Sequence, residues 1–126
     1  MLENKKVKSF YDLKVWQDSR KLALIIYKIT AKFPKEELYG IISQLRRASL
    51  SVTANIAEGF GRFHFKEKIK FYLQARGSLL EVQNFIFLSQ DLNFIEKTMA
   101  RNIFDQCNKI QIQLNALIKA NRKNSP

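Results

Sequence analysis

Four stretches of helical periodicity, separated by three short breaks, organise this chain. In the first, residues 12–33, Val15, Trp16, Ser19, Leu22, Ala23, Ile26, Tyr27, Thr30 and Phe33 recur at steps that line one helix face. Pro34 ends it, because the residue before a proline is pushed out of the α conformation, and Ser9 and Asp12 compete to cap its start. The second helix follows the FPKEE connection and runs to Glu58. Its inner stripe is Ile41, Leu45, Ala48, Val52 and Ile56, with Gly59 placed to stop it. The third covers residues 66–90. The fourth covers residues 96–121, with Met99, Ile103, Cys107, Ile110, Leu114 and Leu117 facing inward. Asn93, in the DLNFI link, suits the left-handed conformation that reverses a chain. Links this short set sequential helices side by side and antiparallel, so the expected fold is all-α, an up-down-up-down four-helix bundle. Residues 1–126 read as one domain, loose at 1–8 and 121–126.

Two helices carry more apolar surface than a closed bundle needs. On the third, the polar ridge is Lys70, Gln74, Gly77, Glu81 and Asn84, and apolar residues fill most of the remaining circumference. The second has a small-residue face in Ser43, Leu50, Ala54 and Ala57, away from its inner stripe. Small residues permit close helix approach, and large apolar patches mark interfaces. The expectation is a homo-oligomer joined through Leu50, Ala54, Ala57, Phe71, Val82 and Phe85. Irregular packing within a single bundle is the alternative.

Composition narrows the class. Two prolines and four glycines in 126 residues leave few breaks, and 46% hydrophobic content can fill a core. The single cysteine, Cys107, excludes an intramolecular disulfide and fits a reducing compartment. The segment MLENKKVKSF lacks a secretory h-region, and no apolar run approaches the roughly 20 residues that span a bilayer. A cytoplasmic protein without a membrane partner is expected.

Charge changes the picture further. The formal balance is +11, and it is uneven: residues 46–76 hold seven basic and two acidic side chains, while residues 77–96 hold three acidic and no basic. Lys14, Lys21, Lys28 and Lys32 form a ridge opposite the inner stripe of the first helix. Arg46, Arg47, Arg62, Lys66, Lys68, Lys70 and Arg76 gather around the turn between the second and third helices. A surplus of this size attracts phosphate. RNA or DNA is therefore the expected partner, met by Lys14, Lys21, Lys28, Lys32, Arg46, Arg47, Arg62, Lys66 and Lys68. Arg46 and Arg47 have intersubunit salt bridges as their alternative. Phe60, Phe63, His64 and Phe65 lie in the same turn, either to stack on unpaired bases or to plug the bundle end.

Catalytic constellations are missing. A helical-bundle ribonuclease built on arginine, a gap of four to six residues, and histidine would need arginine at position 57, 58 or 59 before His64; those residues are Ala57, Glu58 and Gly59. Cys107 lies on a core stripe, where a thiol acts as a small hydrophobe. Inward glutamates with Glu-x-x-His pairs are absent, and GFGR lacks the lysine and spacing of a phosphate loop. His64 reads as capping or packing at the start of the third helix. Glu58 reads as a partner for a nearby arginine, or as organising the helix end with Asn55. No cofactor or metal is expected.

The stretches DLKVWQ at 12–17, FPKEELYG at 33–40, SQLRRASLSVTANIAEGFGR at 43–62 and FYLQARGSLLEVQ at 71–83 resemble the proteins encoded by intervening sequences within 23S ribosomal RNA genes. The resemblance implies an antiparallel four-helix bundle, often a ring-like pentamer, with no established enzymatic activity. A related branch, the accessory variability determinants of diversity-generating retroelements, implies a basic pentamer that binds nucleic acid and a reverse transcriptase. FHFKEK, after GFGR, departs from the Ser/Lys-rich helix start of the family. The resulting expectation is a non-enzymatic homo-oligomer holding nucleic-acid backbone, with a protein-interaction scaffold or a reverse-transcriptase accessory subunit as the alternative.

Overall fold

Tight i to i+3 turns and an abrupt proline divide the chain into its helices. A computed structural model describes residues 6–125, and among these it has four α-helices and no strand. They are α1 (Lys14–Thr30), α2 (Ser43–Gly61), α3 (Phe65–Asp91) and α4 (Lys97–Lys123). A 3₁₀ turn, Phe10–Asp12, precedes α1. Its geometry explains the two competing caps: the Asp12 carboxylate accepts from the backbone N–H groups of Lys8 and Ser9, both at 3.1 Å, and α1 proper starts two residues later.

The ends differ from expectation where local chemistry intervenes. α1 stops at Thr30 rather than residue 33, because Lys32 and Phe33 donate to Ile29 and Thr30 in tighter bonds before Pro34. Phe33 thereby turns inward and meets Phe94 at 5.5 Å between ring centroids. A 3₁₀ turn, Lys35–Glu37, and a π-turn, Leu38–Ile42, lead into α2. At the other end α2 runs past Glu58 to Gly61, and Arg62 (φ −78°, ψ 152°) takes the chain extended. Asn93 is left-handed as anticipated, with φ 61°. α4 continues through residue 123; Asn121 is buried and donates to the Leu117 carbonyl at 2.8 Å. The looseness expected at 121–126 therefore does not extend to its first three residues. Of the segment expected loose at 1–8, residues 1–5 lie outside the described residues, as does residue 126.

Cross-helix contacts show the antiparallel order. Arg46 of α2 reaches Thr30 at the end of α1, while Ser51 and Ser78 share a 2.8 Å hydroxyl bond between α2 and α3 and Gly59 lies against Tyr72 further along. Phe87 stacks with Phe104 at 4.4 Å, and Arg76 donates to Asn115 at 2.7 Å, joining α3 to α4. Between α2 and α3 and between α3 and α4 one residue number rises as the other falls. The chain is thus an up-down-up-down bundle closed by α4 against α1. Among the described residues no helix is long and apolar enough to cross a membrane.

The core follows the periodicity closely. Ile41, Leu45, Ala48, Val52 and Ile56 are all buried, facing Leu22 and Ile26 of α1, Leu79 and Ile86 of α3, and Ile103, Ile110 and Leu114 of α4. Each fully buried aliphatic chain contributes about 1.5–3 kcal/mol. On α4 the stripe is rotated slightly from expectation: Ala100 and Ile118 are buried, whereas Met99 is exposed and Leu117 only half-buried. Tyr27 is exposed and Trp16 half-buried at the edges of the α1 stripe.

α2 and α3 approach closely at Gly59. A Cβ there would stand 2.6 Å from Tyr72 Cε1 and 3.1 Å from Phe71 Cβ, so glycine serves close approach rather than helix termination. Tyr72 is sealed in the core and has no room to yield, and burial pushes its phenol up to about 12. Gly59→Ala is therefore expected to lower stability by about 1–3 kcal/mol through overpacking. Gly77 on α3 has nothing within 4 Å of such a Cβ, and Gly77→Ala should raise stability by roughly 0.5–1 kcal/mol. Chemical denaturation of the two variants checks the opposite signs.

The α1 to α4 seam holds a buried carboxylate. Asp18, 4% exposed, accepts from Gln113 at 2.8 Å and pairs with Lys14 at 3.1 Å and Lys109 at 3.5 Å. Burial alone would raise its pKa, but the Gln113 and Lys14 hydrogen bonds and both lysine charges together hold it below the ordinary 3.8. A depressed folded-state pKa contributes stability that is present above the unfolded value and lost as pH falls through the folded one. Unfolding followed against pH should thus show stability falling below about pH 3.8. Asp18→Asn should flatten that part of the profile while costing about 1–3 kcal/mol at neutral pH.

Candidate nucleic-acid interface

The nine cations expected to meet phosphate divide into two groups once their neighbours are known. Lys21 and Lys28 project from the exposed side of α1, away from the buried Leu22 and Ile26, as their spacing predicts, and Lys32 is exposed in the turn just past the end of the helix. Lys14 belongs to the same ridge, but its ammonium is held by Asp18. Arg47 is exposed and donates to Gln44 at 2.9 Å. Lys66, in the first turn of α3, is exposed.

The others are held by the fold. Arg46 lies over the Tyr27 ring at 4.7 Å, donates through Nε to Thr30 Oγ1 at 2.9 Å, and reaches the Tyr27 carbonyl at 3.4 Å. It ties the start of α2 to the end of α1. Lys68 donates to the Phe60 carbonyl at 2.7 Å and to that of Gly59 at 3.4 Å, so an α3 lysine satisfies carbonyls that the end of α2 leaves open. Burial lowers its pKa. Arg62 pairs with Glu58 at 2.8 Å and rests on Phe71 at 4.6 Å. This is the arginine partner expected for Glu58; Asn55 instead donates to the Ser51 carbonyl at 2.9 Å, one turn back in α2. Arg46, Lys68 and, through Phe71, Arg62 thus have structural partners that sequence spacing alone does not reveal, because those partners lie on other helices or on backbone.

The turn between α2 and α3 separates its aromatic residues. Phe60 is half-buried beneath the Lys68 ammonium. Phe63 is 87% exposed, with His64 edge-on at 5.2 Å. His64 occupies the backbone N-cap of α3 without a side-chain capping bond. Phe63, His64, Phe65 and Lys66 line an open cleft together with Ser125, which places the end of α4 at the same corner as the turn.

The expected contact surface between copies is partly corrected. Val82 is fully buried on the inward arc of α3 with Leu79 and Ile86, so it belongs to the subunit core. Phe85 and Phe71 are half-buried, Phe85 against the core and Phe71 under Arg62. Leu50 and Ala54 are exposed and Ala57 is half-buried; Ala54, Ala57 and Gly61 line a shallow groove between Glu58 and Arg62. The apolar excess of α3 instead emerges at Leu80, Phe87 and Leu88, and continues at Leu92 just past its end.

Reactive groups are few at these surfaces. Cys107 is buried, and burial pushes its thiol up to about 12, far from the thiolate form. Among the described residues no group of three or more His, Cys, Asp or Glu is placed to hold a metal ion.

Comparison with known proteins agrees with this architecture. No curated protein matches the chain. Among solved structures, a protein of unknown function from the S23 ribosomal protein family of Bacteroides thetaiotaomicron VPI-5482 superposes with a TM-score of 0.75. It is 21% identical, and the match covers 83% of this chain and 98% of that one, a likeness of fold. The family model described as 23S rRNA-intervening sequence protein matches residues 11–116, from the turn before α1 well into α4. Over that length the chain belongs to the 23S rRNA-intervening sequence protein family.

Proposed function

We propose that this chain is a non-enzymatic, self-assembling protein that holds the backbone of RNA or DNA through its basic surfaces, without reading sequence. The observation that carries this reading is the exposed pair Lys21 and Lys28 along α1, with exposed Lys32 just past its end, in a chain of formal charge +11. Among the described residues none of the three has an acidic partner within ion-pair distance. Lysines in a row meet phosphates better than base edges, which favours binding with little sequence preference. The family's association with 23S rRNA genes makes RNA the first ligand to try.

Self-assembly, with a pentamer as the expected form, is supported by the apolar side chains left outside the subunit core. Leu50 on α2, Leu80, Phe87 and Leu88 on α3 and Leu92 just past it are exposed, and the small residues Ala54 and Ala57 line a groove that would let another helix approach closely. Repetition of the lysine row around such an assembly would add weak phosphate contacts into useful affinity. The same exposed leucines support the alternative, a protein-interaction scaffold whose partner includes a reverse transcriptase. A reverse-transcriptase gene beside a template and variable repeats would favour it.

Light scattering at micromolar concentration is expected to report a homo-oligomer, and Ala54→Glu should shift it toward monomer while leaving helical content intact. A monomeric parent chain would remove self-assembly from the proposal. For binding, log affinity should fall linearly with log salt, each neutralised phosphate adding about 0.7–0.9 to the slope. Reversing Lys21, Lys28 and Lys32 to Glu should weaken RNA and DNA together and flatten the slope by roughly two to three. No association with either at about 50 mM salt would sink backbone binding and promote the scaffold.

A further inference from the structure

The corner formed by the α2 to α3 turn and the end of α4 displays an aromatic ring where none is needed for packing. Arg62 and His64 are both extended (ψ 152° and 141°), so the short link between the helices splays Phe63 away from the bundle. The ring is 87% exposed, so it does not plug the bundle end, while Phe60 is half-buried beneath Lys68. Phe65 and Lys66 continue the same open cleft, and Ser125 lines its far side.

The charge at this corner points to the kind of ligand. Lys68 is committed to the carbonyls of α2 and Arg62 to Glu58. Lys66 remains exposed beside Phe63, and the last turn of α4, whose end reaches the cleft at Ser125, carries exposed Arg122 and Lys123. Residues 119–123 hold three basic and no acidic side chains. The comparison with Tyr39 is instructive. That ring is 92% exposed at the opposite end of the bundle, but it follows Glu36 and Glu37. Phe63 thus has Lys66 in its own cleft, with Glu67 the acidic residue of the adjoining first turn of α3, whereas Tyr39 follows one lysine and two carboxylates in KEELY.

An aromatic face bordered by cations suits a ligand with alternating flat apolar rings and anions. Unpaired bases provide this, since every base has a face to stack and each is joined to a phosphate. A duplex hides its base faces and offers this corner phosphate alone. We propose that Phe63 is a stacking platform for unpaired bases, with Lys66, Arg122 and Lys123 holding the adjoining phosphates, so that the protein prefers single-stranded nucleic acid. This rests on the backbone-binding reading above and adds the strandedness of the ligand to it.

The test uses the full chain with labelled oligo(U), oligo(dT) and a matched duplex of about 20 bases, at one salt concentration. The parent should bind the single strands more tightly than the duplex. Phe63→Ala should weaken single-strand binding about five- to twentyfold and leave duplex binding within about twofold. Phe63→Trp should restore it, with emission quenched by the single strands beyond any change in the parent, whose own indole is Trp16. Lys66→Glu should weaken all three ligands. Circular dichroism should be unchanged in each variant, as the side chains are exposed. The relative response to the two single strands separates RNA from DNA. Equal affinity for single strand and duplex, with Phe63→Ala without effect, overturns base stacking and leaves backbone binding standing. Loss of oligomer mass in Phe63→Ala overturns it in favour of a contact between copies. Absence of binding to all three ligands removes both readings.

Discussion

The absence of a side chain at Gly59 governs how α2 and α3 meet, and much of the surface chemistry depends on that approach. With Tyr72 packed where a Cβ would stand, the end of α2 lies close enough for Lys68 of α3 to reach its carbonyls. Phe71 is carried to the Arg62 guanidinium by the same register. The three-residue link from Arg62 to His64 then has little slack, and its backbone extends on both sides of Phe63. A larger residue at position 59 would disturb the core, the helix cap and the turn together. The tolerance of this corner is correspondingly low, although most of its residues are exposed.

The inner faces of the helices were legible because period and burial agree. Ile41, Leu45, Ala48, Val52 and Ile56 recur at helical steps and are all sealed, and the reversal at Asn93 follows from its tolerance of a left-handed backbone. The stripe on α3 was harder to centre, since apolar residues surround most of the helix. Periodicity shows that one arc turns inward but does not separate Val82, in the core, from Leu80 and Leu88, outside it. Gly59 was legible as a special position, though a close approach to Tyr72 and a helix terminus leave the same mark in a sequence. At the candidate site the split is sharper. Lys21 and Lys28 could be placed on an outer face from spacing alone. The engagements of Arg46 with Thr30 and Tyr27, and of Lys68 with two carbonyls, depend on contacts between different helices.

That division bears on how a basic surplus is distributed within a small bundle. Asp18 attracts two lysines to close the α1 to α4 seam, and Glu58 engages Arg62 at the end of α2. These cations count toward the formal +11 as fully as Lys21 does, yet their positions are set by the subunit itself. A sum of charges therefore overstates the surface open to a polyanion. The arrangement of the remaining cations, with Lys21 and Lys28 along α1 and Lys66 at the start of α3, carries more information than the total.

Cys107 has a practical consequence for labelling the protein. Its sulfur is fully enclosed and holds its proton far above neutrality, and it is the only cysteine in the sequence. Thiol-directed dyes, spin labels and crosslinkers react as thiolates form at accessible positions. A cysteine introduced on the exposed side of α1 or at the α2 to α3 turn would therefore take up the reagent against a silent background. Labels placed there would report any contact with a second copy or with a strand without first removing a native core residue.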